Sequence, residues 1–160
     1  MDNESQIDIK TLRPNQLGYV YKDIEKHAKI MESFLGASKF VIFDPLELDV
    51  TVRGVKKKFT IKSGFGRIFD TEIELLQPVE GESIYTEFLE EGREGLHHVS
   101  YKVDNISAYI DEFKKTGIKV LQWGLLVKLV YVYLDTEKIF NTIIEFTEEL
   151  KRGMRNTLSF

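Results

Sequence analysis

Two glutamates stand inside apolar runs: "EIELLQP" sets Glu74 between Ile73 and Leu75, and "TIIEFTEE" sets Glu145 between Ile144 and Phe146. A carboxylate flanked by large aliphatic side chains is costly unless it is solvated, paired or bound to a cation. Two further polar residues, Gln16 and His98, lie near the starts of "NQLGYVYKDI" and "HHVSYKVDNI". One histidine, one glutamine and two glutamates make a nitrogen and oxygen donor set that leaves positions open for substrate or water, as a catalytic metal site requires. The chain has no cysteine, so thiolate ligands and disulfides are excluded, and Zn²⁺, Ni²⁺, Co²⁺ and Mn²⁺ all suit the set.

An internal repeat supplies the elements that must position these residues. "NQLGYVYKDIEKHAKIMESFLG" overlays "HHVSYKVDNISAYIDEFKKTG" with one residue of slack. Leu17, Tyr19 and Tyr21 match Val99, Tyr101 and Val103, the alternation of a half-buried strand. Asp23 and Asn105 then cap segments with apolar residues at helical spacing, Ile24, Ala28, Met31 and Leu35 in one copy and Ile106, Ile110 and Phe113 in the other. Gly36 and Gly117 follow, and after each come about three segments rich in β-branched and aromatic residues. The pattern predicts an α+β fold of two βαβββ modules. Their bounds are residues 13–76 and 96–149, with a linker at 77–95 and tails at 1–12 and 150–160 that are loose or held in a dimer. Within the linker "SIYTEFLEE" reads as a short helix from Ser83 to Glu91, with Ser83 as N-cap.

The overlay places His98 on Gln16 and Glu145 on Glu74, so the four polar residues share one face of the sheet at corresponding places in the two halves. Because successive side chains on a strand point to opposite faces, only one of the adjacent His97 and His98 is expected to look inward. His98 is that residue, on the face opposite Val99, Tyr101 and Val103.

At 160 residues, with 42% hydrophobic and 30% charged residues, the chain fits one compact globular domain or two small modules sharing a core. A net charge of −4 argues against nucleic acid as a partner. The Lys56, Lys57, Lys58 run reads as a solvated hairpin. No apolar run is long enough to span a membrane and "MDNESQIDIK" is too polar for a secretory signal, which predicts a cytoplasmic location.

On "NQLGYVYKDIEK", "LGA", "TEIELLQPVEGES", "FLEEGREGLHHVSYKVDNI" and "IIEF" the chain resembles the vicinal oxygen chelate superfamily, within it the methylmalonyl-CoA epimerase and glyoxalase I branches. The resemblance covers about residues 14–149. It implies an open cup of curled strands around one divalent metal, and it places Gln16, Glu74, His98 and Glu145 at the metal-ligand positions. The first ligand is usually histidine in epimerases, and glutamine there matches the animal type of glyoxalase I.

The resemblance further implies proton transfer next to a carbonyl, with Glu145 as base, Glu74 as ligand or opposite acid/base, and an acyl-CoA or thiol adduct as substrate. A homodimer is the implied assembly. His97 is read as structural or at the pocket edge, and His27 as a surface residue. The extended hairpin "DPLELDVTVRGVKKKFTIKSG" offers Glu47 and Asp49 as substrate-contacting or acid/base carboxylates. The alternatives are glyoxalase I-like isomerisation of a hemithioacetal and a non-catalytic small-molecule binder on the same scaffold. Ring-cleaving dioxygenase chemistry is disfavoured, because Fe(II) sites of that kind use two histidines and one carboxylate.

Overall fold

The computed structural model describes residues 7, 9–151 and 158–160. The first module runs β1 (Gln16–Val20), α1 (Ile24–Phe34), β2 (Val41–Ile42), β3 (Leu46–Val52), β4 (Val55–Ile68) and β5 (Thr71–Gly81). A connecting helix α2 (Ile84–Glu90) leads to β6 (Gly95–Lys102), α3 (Ile106–Lys115), β7 (Val120–Leu126), β8 (Leu129–Leu134), α4 (Glu137–Phe140) and β9 (Ile143–Glu149). Each module is therefore βαβββ, with a two-residue β2 and a single-turn α4 added.

Both long helices start where a short polar side chain offers the backbone an acceptor. The Lys26 amide donates to the Asp23 carboxylate at 3.0 Å and the Ala108 amide to the Asn105 side chain at 3.2 Å. From there Ile24, Ala28 and Met31 face β5, where Ile73 and Leu75 meet them, and Ile106, Tyr109 and Ile110 pack on Val132, Leu134 and Phe146. The helices thus cover the outside of the sheet and leave the alternate residues of each strand for its inside.

The two modules join through β1 and β6, which pair antiparallel, while each first strand pairs in parallel with the last of its own module, β1 with β5 and β6 with β9. The hairpins extend the sheet to β3 on one side and β7 on the other. Those two edges then meet through Val50 with Gly124, Thr51 with Trp123 and Val52 with Gln122. The curled sheet is the expected one, and the edge contact closes it into a ring of eight strands. A ring of that size is just wide enough for side chains to fill. Val50, Val52, Phe59, Ile61, Leu76, Tyr131 and Tyr133 pack inside it, joined by Ile84, Tyr85 and Phe88 of α2.

The linker differs in extent from the reading of the sequence. β5 carries on to Gly81, so residues 77–81 are strand. The helix follows as expected, with the Thr86 amide donating to the Ser83 hydroxyl at 3.2 Å. The Ile84 amide donates to the buried Gln122 side chain at 3.1 Å, which ties α2 to the second module. The tails are not loose where they are described: Ile7, Leu12, Leu158 and Phe160 pack against the α3 core. Residues 1–6, 8 and 152–157 lie outside the described residues. Among the described residues no helix is long and apolar enough to cross a membrane.

Phe146 is the hub of the second core, its ring set against those of Tyr101, Tyr109 and Phe113 at 6.3, 5.4 and 5.5 Å. Phe146→Ala is expected to lower stability by about 3–5 kcal/mol, read as a shift of the urea midpoint. A loss below about 1 kcal/mol would contradict this packing.

Candidate active site

Register across the four central strands, in the order β5, β1, β6, β9, sets the inward polar residues in two rows. One row is Glu74, Gly18, His98 and Ile143, and the next is Glu72, Gln16, Ser100 and Glu145. A half-turn exchanges the modules and maps one row onto the other, Gln16 onto His98 and Glu74 onto Glu145. The sequence overlay is therefore the symmetry of the sheet.

Glu74 and Glu145 stand on strands separated by two others, so their backbones are roughly 14 Å apart at about 4.8 Å per strand. Their side chains nonetheless converge on the middle. His98 Nε2 lies 3.3 Å from a Glu74 oxygen and 3.6 Å from Glu145 Oε2, with side-chain exposures of 0% for His98, 16% for Glu74 and 5% for Glu145. Room for this comes from Gly18. A Cβ there would lie 1.9 Å from the His98 ring, so the ring occupies the space that any other residue would claim.

These groups face one another without satisfying one another. His98 Nε2 and Glu145 Oε2 are buried and neither has a hydrogen-bond partner. Buried polar atoms are ordinarily paired, and exceptions call for an unplaced ligand or ion. Among the described residues no three His, Asp or Glu side chains stand in a ready-made ligand arrangement; Glu74 and Glu145 flank the Nε2 edge of His98 at 3.3 and 3.6 Å. The donor types and the orphaned atoms nevertheless fit a divalent cation, which would satisfy both at once.

The electrostatics follow from burial. Burial pushes the Glu145 carboxyl above the usual carboxylate range, His98 opposes the rise, and Glu74 adds to it. The Ser100 and Tyr133 hydroxyls also favour the ionised form of Glu145, without either closing a hydrogen bond on Oε2. Burial acts against a charge on His98, but the carboxylates of Glu145 and Glu74 outweigh it and its pKa rises. Burial holds Tyr85 and Tyr133 well above the usual phenol value. Both are neutral hydroxyls, and Tyr85 donates to Tyr133 at 2.7 Å.

The structure brings Glu74, His98 and Glu145 together and sets Gln16 in the neighbouring row. There the Gln16 amide nitrogen donates to Glu72 Oε1 at 2.7 Å. His97 departs from the expectation that adjacent histidines face opposite ways, because the register slips between Gly18 and Tyr19 and leaves His97 as the extra residue of a bulge. Both histidines are buried. His97 packs under α2 against Tyr85 and Phe88, with ring centroids 5.2 and 5.1 Å away, and one of the two Nδ1 atoms of the pair donates to the other at 3.1 Å. Burial drives the His97 pKa well below its usual value, with His98 and Arg93 adding to the effect.

Glu47 and Asp49 do not join the site. Leu48, Val50 and Val52 take the inward positions of β3, so alternation turns Glu47 and Asp49 outward, where their side chains are 63% and 85% exposed and pair with Lys58 at 3.2 and 3.8 Å. His27 is half-buried and stacks on Tyr21. The residues that sequence reasoning missed are Gly18, Glu72, Tyr85 and Tyr133. Gly18 had a signal in the repeat, since it overlays Ser100, another small residue on the inward face.

A family profile of the Glyoxalase/Bleomycin resistance protein/Dioxygenase superfamily matches residues 15–126, and the chain belongs to that superfamily. The match contains Gln16, Glu74 and His98 and ends before Glu145, whose place comes from the β6–β9 register. Within the superfamily the chain is similar to "Methylmalonyl-CoA epimerase, mitochondrial" of Mus musculus, 32% identical over 110 residues, 68% of this chain and 56% of that protein. It thus spans little more than half of that relative. The "Ethylmalonyl-CoA/methylmalonyl-CoA epimerase" of Cereibacter sphaeroides is 32% identical over 113 residues, 70% of this chain and 76% of that protein. The solved structure of methylmalonyl-CoA epimerase from Mycobacterium tuberculosis has the same fold, with a TM-score of 0.64 over 91% of this chain and 94% of that one at 12% identity.

The closeness of Gly18 to His98 is open to test. Gly18→Ala must push the imidazole aside or part β1 from β6, and is expected to cost about 1–3 kcal/mol in urea unfolding. Unchanged stability would contradict the placement of the ring.

Proposed function

We propose that the protein catalyses metal-dependent proton transfer at the carbon next to a carbonyl, as methylmalonyl-CoA epimerisation requires. The observation that carries this reading is the meeting of a buried carboxylate, Glu145, and a half-buried one, Glu74, at one buried imidazole, reached from strands on opposite sides of the β1–β6 pair. The 32% identity to proteins named as epimerases of methylmalonyl-CoA supports the substrate class.

His98, Glu74 and Glu145 would hold the cation, with Gln16 as a fourth ligand, and Zn²⁺, Ni²⁺, Co²⁺ and Mn²⁺ suit these donors. A divalent ion there supplies positive charge beside the carbonyl oxygen on which negative charge develops. The chain's own residues do the rest. Glu145 takes the proton as the C–H bond breaks, and the electron pair of that bond moves to the carbonyl oxygen. Glu74, when it is protonated and released from the cation, returns its proton to carbon from the other face, which inverts the centre, and exchange with solvent then deprotonates Glu145 and reprotonates Glu74. The burial of His98 and Glu145, 0% and 5% exposed, limits the bulk water that reaches the reacting groups. A binder of neutral aromatic molecules would have little use for two carboxylates at its centre, whereas hemithioacetal isomerisation draws on the same proton chemistry.

About one divalent ion per chain is expected by elemental analysis after purification without chelator, and its loss in His98→Ala. Glu145→Gln should lower the rate of deuterium exchange at the α-carbon of methylmalonyl-CoA by about 10²–10⁴-fold, the range for loss of a general base. Hemithioacetal isomerisation is assayed beside it. A wild-type protein that binds none of Ni²⁺, Co²⁺, Zn²⁺ and Mn²⁺ and exchanges no proton would overturn the reading.

A further inference from the structure

We infer that Glu72 is a positioning residue that holds the Gln16 amide and turns its carbonyl oxygen to the cation, an assignment that rests on the metal reading above. A glutamine side chain can bind a cation only through Oε1, since its nitrogen carries two hydrogens and no free lone pair. Left alone the amide can turn either end inward. In this protein the nitrogen is taken: Gln16 Nε2 donates to Glu72 Oε1 at 2.7 Å, and an ionised carboxylate accepts only from the nitrogen end. The two residues are direct neighbours in the parallel β1–β5 register. Arg67, which pairs with Glu72 in register from β4, donates its guanidinium to the Asp70 carbonyl instead.

The symmetry of the barrel gives the second line of argument. The half-turn that carries Gln16 onto His98 carries Glu72 onto Ile143, the register partner of His98. The imidazole's far nitrogen, Nδ1, is already held by His97 Nδ1 at 3.1 Å while Nε2 is aimed at Glu74 and Glu145, and its counterpart neighbour in the sheet is a plain aliphatic residue. Where the ligand is an amide, the same position holds an acceptor for the unwanted end. Partners of metal ligands act in this way generally, and their loss weakens metal binding by about 10–100-fold.

The test is Zn²⁺ affinity, measured by competition with a chromophoric chelator on the full chain, with urea unfolding confirming that each variant is folded. Glu72→Ala and Gln16→Ala are each expected to weaken Zn²⁺ binding about 10–100-fold. The Glu72→Gln variant keeps an acceptor and should recover most of that loss. The double variant should bind no more weakly than Gln16→Ala alone, because Glu72 acts through Gln16. Binding in Glu72→Gln as weak as in Glu72→Ala, or additive losses in the double variant, would overturn positioning in favour of a simple charge effect. Wild-type affinity in Glu72→Ala would overturn the inference while leaving the metal reading intact. Absence of Zn²⁺ binding in the wild type would overturn both.

Discussion

The antiparallel pairing of β1 with β6 is the constraint on which the rest of the structure depends. It is one of two seams at which symmetry-related strands meet, the other being β3 with β7, and it puts Gly18 opposite His98 and Gln16 opposite Ser100. Because side chains alternate along a strand, a slip of one residue in this pairing would turn Leu17 and Val99 inward and send Gln16 and His98 to the helices. The apolar residues that hold α1 and α3 outside the sheet therefore also hold the polar rows inside it. Gly18 is needed for the same reason, since the His98 ring lies where its side chain would be.

Closure of the sheet changes what those polar residues experience. An open cup would leave Glu74 and Glu145 facing water, whereas the contact of β3 with β7 closes the ring and the insertion of α2 brings Tyr85 to join Tyr131 and Tyr133 beside them. In such surroundings charge interactions strengthen and unpaired charge becomes expensive. The shifts of Glu145 and His98 follow: both rise, one because its anion is desolvated and the other because two carboxylates stand at its edge. Tyr85 links this centre to the connecting helix through its hydrogen bond to Tyr133, so α2 is part of the chamber wall as well as a connection between modules.

Much of this was legible in the sequence, for a physical reason. A duplicated module repeats its period-2 and helical patterns, and two copies constrain register better than one. The caps Asp23, Asn105 and Ser83, the helix-facing Leu17, Tyr19, Tyr101 and Val103, and the inward placement of Glu74, His98 and Glu145 all rest on local rules. What escaped depends on contacts between distant segments. Nothing in the run of β3 announces that it will meet β7, and without that contact Glu47 and Asp49 look as well placed as any carboxylate of a lid. Alternation also cannot anticipate a bulge, which is why His97 came to be buried beside His98 instead of facing away from it. Glu72 escaped for the opposite reason: its polarity is what any half-exposed strand position would show, and only the 2.7 Å contact with Gln16 gives it meaning.

The two halves of the barrel share the βαβββ plan and differ at the site in a linked way. His98 is accompanied by Gly18 across the seam and Ile143 beside it; Gln16 is accompanied by Ser100 and Glu72. Each trio is consistent within itself. The imidazole is rigid and bulky, so it needs a glycine to make room and only an aliphatic neighbour to pack on. The amide is slimmer and two-ended, so it tolerates a serine opposite and needs a partner that takes one end. A histidine placed at position 16 would meet Ser100 in place of glycine and would have no carboxylate-free wall beside it, so exchange of one ligand for the other requires its neighbours to change as well. The unit that varies between such sites is thus the ligand together with the residues on either side of it in the sheet, and a ligand taken alone understates what its position demands.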